Sequence, residues 1–175
     1  MRKVIVAIVA IGFFALRMHA QGEYPAAEIF GGFSIQNVGN GDGERESLLG
    51  WQVSINGNAY RYFGLVADFG GQYKSIRGDT LQAYQFLFGP QFAVRRERVT
   101  AFAHALFGLE HARSRGESAN GFLLGFGGGL DLNVSRRIAI RFPQLDYLPS
   151  RSQGEWYTKD FRVGVGIVFK TGQGQ

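Results

Sequence analysis

The stretch Phe161-Arg162-Val163-Gly164-Val165-Gly166-Ile167-Val168-Phe169-Lys170 decides the fold. In an extended chain successive side chains point to opposite faces. Phe161, Val163, Val165, Ile167 and Phe169 therefore share one face, and Arg162, Gly164, Gly166, Val168 and Lys170 share the other. A period of two sustained over ten residues predicts a strand with one apolar face and one polar or glycine face. The same alternation recurs upstream. Leu49, Trp51, Val53 and Ile55 interleave with Gly50, Gln52, Ser54 and Asn56. Phe63, Leu65, Ala67 and Phe69 interleave with Gly64, Val66, Asp68 and Gly70, and Phe122, Leu124 and Phe126 with Leu123, Gly125 and Gly127. Leu130, Leu132 and Val134 alternate with Asp131, Asn133 and Ser135.

Eight such segments are expected, near residues 27–36, 47–58, 63–74, 81–94, 99–112, 120–134, 138–147 and 158–169. Their connections alternate in kind. Residues 59–62, 95–98 and 135–137 read as tight turns, whereas 37–46, 75–80, 113–119 and 148–157 read as longer polar loops. Short turns at one end and long loops at the other are the pattern of a transmembrane barrel. Strands of ten or more residues fit as well, because a tilted membrane strand needs about 9–11 residues and soluble strands average about 5–6. Pro90 falls inside a long strand, where it has no N–H for the ladder, and predicts a bulge. Arg141 and Asp146 cannot both face inward without a one-residue shift, which predicts a second bulge near Pro143.

Size and charge decide which face is inside. An eight-stranded barrel has an interior just wide enough for side chains to fill it. Rows of Phe, Trp, Leu and Ile would overfill that space, while Gly, Ser, Asn and a few paired charges fit. The bulky apolar face then points outward, where lipid is the matching solvent, and the sheet must close because no backbone group can stay unpaired in hydrocarbon. Asp68, Lys74, Glu110, Asp131, Arg141, Asp146 and Arg162 become interior residues in a mutual polar network, with His104 a hydrogen-bonded member of the same face. Aromatics near strand ends are expected to form interfacial belts: Trp51, Tyr73, Tyr84, Trp156 and Tyr157 on the loop side, and Tyr60, Tyr62, Phe63, Phe92 and Phe169 on the turn side.

Composition agrees. The 175 residues make one domain, with 26 Gly and no Cys, so disulfides, thiolate metal sites and thiol nucleophiles are excluded. The formal charge of +5 shrinks on inspection. Residues 1–20 hold Arg2, Lys3 and Arg17 and no acid, which leaves 16 basic against 14 acidic residues from Gln21 onward. That is no footprint for nucleic acid. Met1-Arg2-Lys3, the 13 apolar or small residues Val4 to Leu16 and a terminal Ala20 read as a cleavable export signal over residues 1–20. Thirteen helical residues span about 20 Å, short of a hydrocarbon core of about 30 Å. The barrel domain is assigned to residues 21–175.

From Glu28 to Lys170 the chain resembles the small eight-stranded outer-membrane β-barrels of Gram-negative bacteria, the opacity-protein and OmpA-type group. The resemblance rests on Ile29-Phe-Gly-Gly-Phe33, on Gly125-Phe-Gly-Gly-Gly129 and on Arg162-Val-Gly-Val-Gly-Ile-Val-Phe169. It implies an all-β, antiparallel up-and-down transmembrane barrel in the outer membrane, with outer-membrane lipids and lipopolysaccharide as surroundings. It also implies export through the outer-membrane insertion machinery, since the last strand is similar to the signal that machinery reads in its clients. Relatives often stop at the terminal Phe, whereas Lys170-Thr-Gly-Gln-Gly-Gln175 follows here. The peptidoglycan-binding domain that some of them append is not expected.

Candidate chemistry is weighed against this frame. Gly125, Gly127, Gly128 and Gly129 lack the Lys-Ser/Thr of a phosphate loop, and room for facing side chains is the better account of them. Some outer-membrane barrels act on lipid A through His, Ser and an acid near the loop end. Here Glu110 and His111 are adjacent, so a strand points them to opposite faces, and Ser114 would sit in a loop. His104 and His111 lie on opposite faces with no carboxylate cluster for a metal. Asn40-Gly-Asp-Gly-Glu44 lacks the alternating acids of a calcium loop. No catalytic, metal or cofactor-binding residue is assigned. Arg45, Arg77, Arg113, Arg115 and Arg151 fall in the long loops, where guanidinium forks suit lipopolysaccharide phosphates. Arg95, Arg96, Arg98, Arg136 and Arg137 fall at the turns, facing phospholipid headgroups. The expected function is a non-enzymatic envelope or surface-interaction barrel with a plugged or very narrow lumen and an unknown surface partner. The alternatives are an exported soluble barrel of the lipocalin type, which needs an apolar interior and a polar exterior, and a lipid-A-modifying enzyme.

Overall fold

The computed structural model describes residues 24–39, 45–76, 79–114, 117–152 and 154–172. The expected export signal, the Asn40–Glu44 segment, Arg77 and Arg115 lie outside the described residues. Eight long strands form: β1 (Ala27–Gly39), β2 (Arg45–Asn58), β3 (Phe63–Ile76), β4 (Asp79–Arg95), β5 (Val99–Ser114), β6 (Glu117–Asn133), β7 (Ile138–Tyr147) and β10 (Phe161–Thr171). Each pairs antiparallel with its neighbour in the order β1-β2-β3-β4-β5-β6-β7-β10, and β10 returns to β1 through eleven consecutive pairs from Ala27↔Thr171 to Asn37↔Phe161. The sheet is closed, so the long strands leave no free edge to hydrocarbon.

Three turns are tight, as their hydrogen bonds require: Ala59 N–H to Phe63 O at 3.0 Å, Arg96 N–H to Val99 O at 2.9 Å, and Val134 N–H to Ile138 O at 3.0 Å. The opposite end departs from the sequence reading. Residues 75–80 and 113–119, expected as long loops, are mostly strand: Ile76 pairs with Asp79, and Ser114 with Glu117. The cause is strand length. Seventeen residues, as in β4 and β6, run about 56 Å at ~3.3 Å each, or about 40 Å along the axis at a 45° tilt, well past a core of about 30 Å. The protruding ends stand in water and so carry polar side chains without leaving the ladder. The 148–157 segment also gains structure. Two short strands, β8 (Ser150–Ser152) and β9 (Glu155–Tyr157), make a hairpin around Gly154 (φ 91°). β8 pairs with Phe122 and Leu123 of β6 above the end of the shorter β7.

The expected bulge at Pro90 is absent. Leu65 pairs with Pro90, and on the other side Phe88↔Phe107 and Gln91↔His104 keep one register through it. The lost N–H costs the β5 ladder a local pairing and not a residue of register. The bulge expected near Pro143 is present. Gln144 pairs with Gly164 and Gly129, while Arg141 pairs with Gly166 and Asp131, so Phe142 and Pro143 together face one residue on each neighbour. That shift turns both Arg141 and Asp146 inward.

The outward face is as predicted from size and charge. Phe33 is 77% exposed, and Leu49, Ile55, Phe107, Leu109, Phe142, Ile167 and Phe169 are all exposed, whereas Arg162 is fully buried. This excludes the lipocalin arrangement, whose exterior is polar. The inner face, however, is not only small and polar. Val66, Leu87, Leu106, Leu123 and Leu148 form one buried apolar cluster, and Phe30, Ala139 and Val168 a second. Glycines make room for them. A Cβ on Gly125 would lie 3.3–3.6 Å from Leu106, Leu148 and Leu87, and one on Gly129 would lie 2.9 Å from the Phe102 ring.

The assignment of faces sets the cost of substitution on β10. Val165→Arg, placed in lipid near mid-strand, is expected to cost about 2–4 kcal/mol in reversible urea unfolding from lipid vesicles. Gly164→Ser, pointing at the movable Gln52 amide, should cost less; the reverse order would refute the orientation.

Candidate functional site

Inward side chains of β3, β4 and β7 converge on one charged side chain of β10. Arg162 of β10 lies opposite Asp146 of β7, and its Nη2 reaches Asp146 Oδ2 at 2.8 Å and Asp68 Oδ1 of β3 at 2.9 Å. Asp146 also accepts from Gln144 Nε2 at 2.9 Å and pairs with His104 Nε2 at 2.8 Å. Gln52 Nε2 donates to Asp68 Oδ2 at 2.5 Å. One cation thus bridges two carboxylates across the lumen, with neutral amides and an imidazole taking the remaining lone pairs. That saturation is what a buried ion cluster needs, because desolvation is costly for every charge left without a partner.

A second ion pair lies nearer the turn end. Arg141 grips Asp131 with Nε at 2.7 Å and Nη2 at 3.0 Å, a bidentate pair, and its Nη1 donates to Gln144 Oε1 at 3.0 Å. Its guanidinium lies between Phe102 (4.1 Å to the ring centre) and Phe30 (4.5 Å), so both of its faces meet aromatic rings. Gln144 therefore links the two pairs into one network. Toward the loop end Gln85 extends it: Gln85 Oε1 accepts from Arg162 Nη1 at 3.4 Å, and Gln85 Nε2 donates to Gln36 and Glu110. Lys74 stands half-buried on the same inward face, two places beyond Gln72.

The sequence reading missed the turn-side mouth. Glu28 Oε2 accepts from Asn56 at 3.0 Å, Asn58 at 3.3 Å and Arg95 Nη2 at 3.0 Å, and Arg95 also donates to Asn58 Oδ1 and to the Arg61 carbonyl. Arg95, expected to face phospholipid headgroups, instead folds across the opening. Lys170 beside it donates to Asn133 Oδ1 at 2.6 Å. The available signal was parity: Asn56 and Asn58 continue the inward row of Gln52 and Ser54.

The residues weighed for catalysis separate. Glu110 faces inward to Gln85, whereas His111 is exposed outside with its Nδ1 2.7 Å from Asn120 Oδ1. His104 is held by Asp146 in the lumen. Among the described residues no three His, Cys, Asp or Glu side chains group as a metal ion requires. The interface aromatics face outward. On the loop side Trp51 Nε1 donates to the Tyr73 hydroxyl at 3.4 Å and Tyr73 to the Tyr84 hydroxyl at 3.2 Å. Trp156 and Tyr157 are exposed on the β8–β9 hairpin, with Arg151 over the Trp156 ring at 5.9 Å. On the turn side Tyr62 stacks on Phe92, and Tyr60, Phe63 and Phe169 are exposed.

A closed antiparallel ring of eight strands, apolar outside and charge-paired inside, has the architecture of a small outer-membrane β-barrel. Solved structures agree on that fold. The attachment invasion locus protein Ail of Yersinia pestis superposes with a TM-score of 0.60 at 18% identity, over 83% of this chain and 99% of that one. Neisserial surface protein A gives 0.71 at 10% identity over 83% and 97%, and the outer membrane protein OprG of Pseudomonas aeruginosa 0.58 at 9% over 86% and 97%. No protein-family model matches the chain, and no curated protein sequence matches it.

Removing Arg162 alone strands two buried carboxylates. Arg162→Met is expected to lose about 3–5 kcal/mol of unfolding free energy. Adding Asp68→Asn and Asp146→Asn to that variant should restore most of it. A triple variant as weak as the single one would show that the charges are not what Arg162 is there to neutralise.

Proposed function

We propose that this chain is a non-enzymatic outer-membrane barrel whose lumen is sealed, so that it acts on the envelope and at the cell surface and not as a pore. The observation that carries the reading is the bridge from Asp146 through Arg162 to Asp68, all three buried, which spans the interior in one layer. The leucine cluster of Leu87, Leu106, Leu123 and Leu148 and the Phe30–Arg141–Phe102 stack occupy further interior space. An ion crossing this interior would have to displace a guanidinium that two carboxylates hold, at a cost of several kcal/mol. Separation of Glu110 from His111 across the wall supports the non-enzymatic part, as does the burial of the His104–Asp146 pair inside the lumen, where Arg162 and Gln144 also hold the carboxylate.

With the interior closed, contact with other molecules falls to the outer wall and the loop end, where Arg113, Arg151, Trp156 and Tyr157 are exposed. One structure of Ail holds the heparin analogue sucrose octasulfate, a polyanion. The exposed Arg113 and Arg151 suit phosphate or sulfate in the same chemical sense.

Planar bilayers test the proposal. Purified, heat-modifiable barrel should insert without producing steady current at either polarity. Stable unitary steps that scale with salt concentration would overturn the sealed-lumen reading.

A further inference from the structure

Just inside the turn-side mouth the lumen encloses a polar chamber. Among the described residues six buried side-chain polar atoms have no hydrogen-bond partner, and four of them are here: Glu28 Oε1, Asn56 Oδ1, Arg95 Nε and Thr100 Oγ1. Arg95 connects them. It is the cross-strand partner of Thr100, and its Nη2 ends on Glu28 and Asn58 across the mouth, where Asn56 is the partner of Glu28 on β2. Phe30 and Phe102 follow Glu28 and Thr100 by two places on the inward face, so the Phe30–Arg141–Phe102 stack is the floor of the chamber.

Buried polar atoms that find no partner in the protein are met by ordered water. The four atoms here match it: the Glu28 and Asn56 oxygens accept, Arg95 Nε–H donates, and the Thr100 hydroxyl does both. An ion fits less well, because Glu28 and Asp131 are already paired to Arg95 and Arg141.

The roof is the segment before β1. Tyr24 continues the inward row of Glu28 and is 7% exposed, whereas the outward Phe33 of β1 is 77% exposed, so Tyr24 is covered by the protein itself. Asn58 holds the segment twice, from its backbone N–H to Ala26 O at 2.9 Å and from Nδ2 to Pro25 O at 2.8 Å. The Oδ1 of the same Asn58 accepts from Arg95, so roof and arginine share one anchor. The segment lies outside the closed ladder, tied by one residue and one ring, and stretches with so few ties open locally at low cost.

We propose that the turn end of the lumen is a water site, and that Tyr24-Pro25-Ala26 is a stopper over it that lifts to let the water exchange. The inference goes beyond the sealed-lumen reading and does not depend on it: Arg162 and its carboxylates lie farther toward the loop end, past the Phe30–Arg141–Phe102 stack.

Thiol chemistry tests the stopper. The chain has no cysteine, so Thr100→Cys carries the only thiol. In the barrel folded in detergent micelles, a membrane-impermeant methanethiosulfonate should modify it slowly. Tyr24→Ala in that background should speed modification about tenfold, since the closed state loses a buried ring. Asn56→Cys, on β2, should respond in the same way, and heat-modifiable migration checks each variant for folding. Thiols as reactive with Tyr24 in place as without it would overturn the stopper. Thr100→Val tests the water. Where water satisfies the hydroxyl, this isosteric change removes a bonded group, and the urea midpoint should fall or stay unchanged. In a dry chamber the same change removes an unpaired group and stabilises, so a raised midpoint would overturn the water site.

Discussion

A backbone N–H or carbonyl left open in hydrocarbon costs several kcal/mol, and the pairing of β1 with β10 is what leaves none open along the wall. Eleven consecutive pairs join the first long strand to the last, although their residues are separated by nearly the whole barrel sequence. Most other features follow from that closure. An open sheet with Phe33, Leu109 and Ile167 on one face would bury them against a second layer, and the described residues form no such layer. Closed, the same face meets lipid, and the inner face must fill whatever radius eight strands allow.

Filling that radius is a problem in both volume and charge. Arg162 answers it by reaching from β10 to β7 and β3, so a single side chain ties non-adjacent strands together through the centre. Its carboxylates are not left to the cation alone: Gln52, Gln144 and His104 complete their hydrogen bonding. Where no charge stands, Leu87 of β4, Leu106 of β5 and Leu148 just beyond β7 meet over Gly125, whose missing side chain is the space they use. The interior is therefore closer to a small protein core than to a water-filled channel, with ion pairs at some levels and apolar packing at others.

The period of two made the strands, the closure and the outward face legible, because lipid-facing positions must be apolar without exception along Leu49–Ile55 and Phe161–Phe169. The slip at Pro143 was legible for the same reason: Arg141 and Asp146 have opposite parity, and neither belongs in lipid. Three features were not. Strand ends such as Ser75–Ile76 with Asp79–Thr80 lack the alternation of the membrane-spanning stretches and read as loop, although they keep the ladder pairing. Val66, Leu87, Leu106 and Leu123 sit at inward parity, yet an apolar residue there carries no mark of which neighbour leaves room for it. For Leu87 and Leu106 that information lies in Gly125, on another strand. Arg95, finally, is at a strand terminus, where sequence does not tell whether a long side chain extends to headgroups or folds over the mouth to Glu28.

The contrast between the two faces locates where recognition can occur. Inside, Arg141, Arg162, Asp68, Asp131 and Asp146 are each held by partners within the wall, so a visiting solute would have to break an ion pair before making a contact. Outside, Trp51 donates to Tyr73 and Tyr73 to Tyr84, a row of polar aromatic groups on the loop side of the apolar band. Polar aromatic groups at that boundary meet headgroups and water in any bilayer. With the charged groups of the lumen already paired to one another, the outer wall and the loop end are the surfaces left for contact with other molecules.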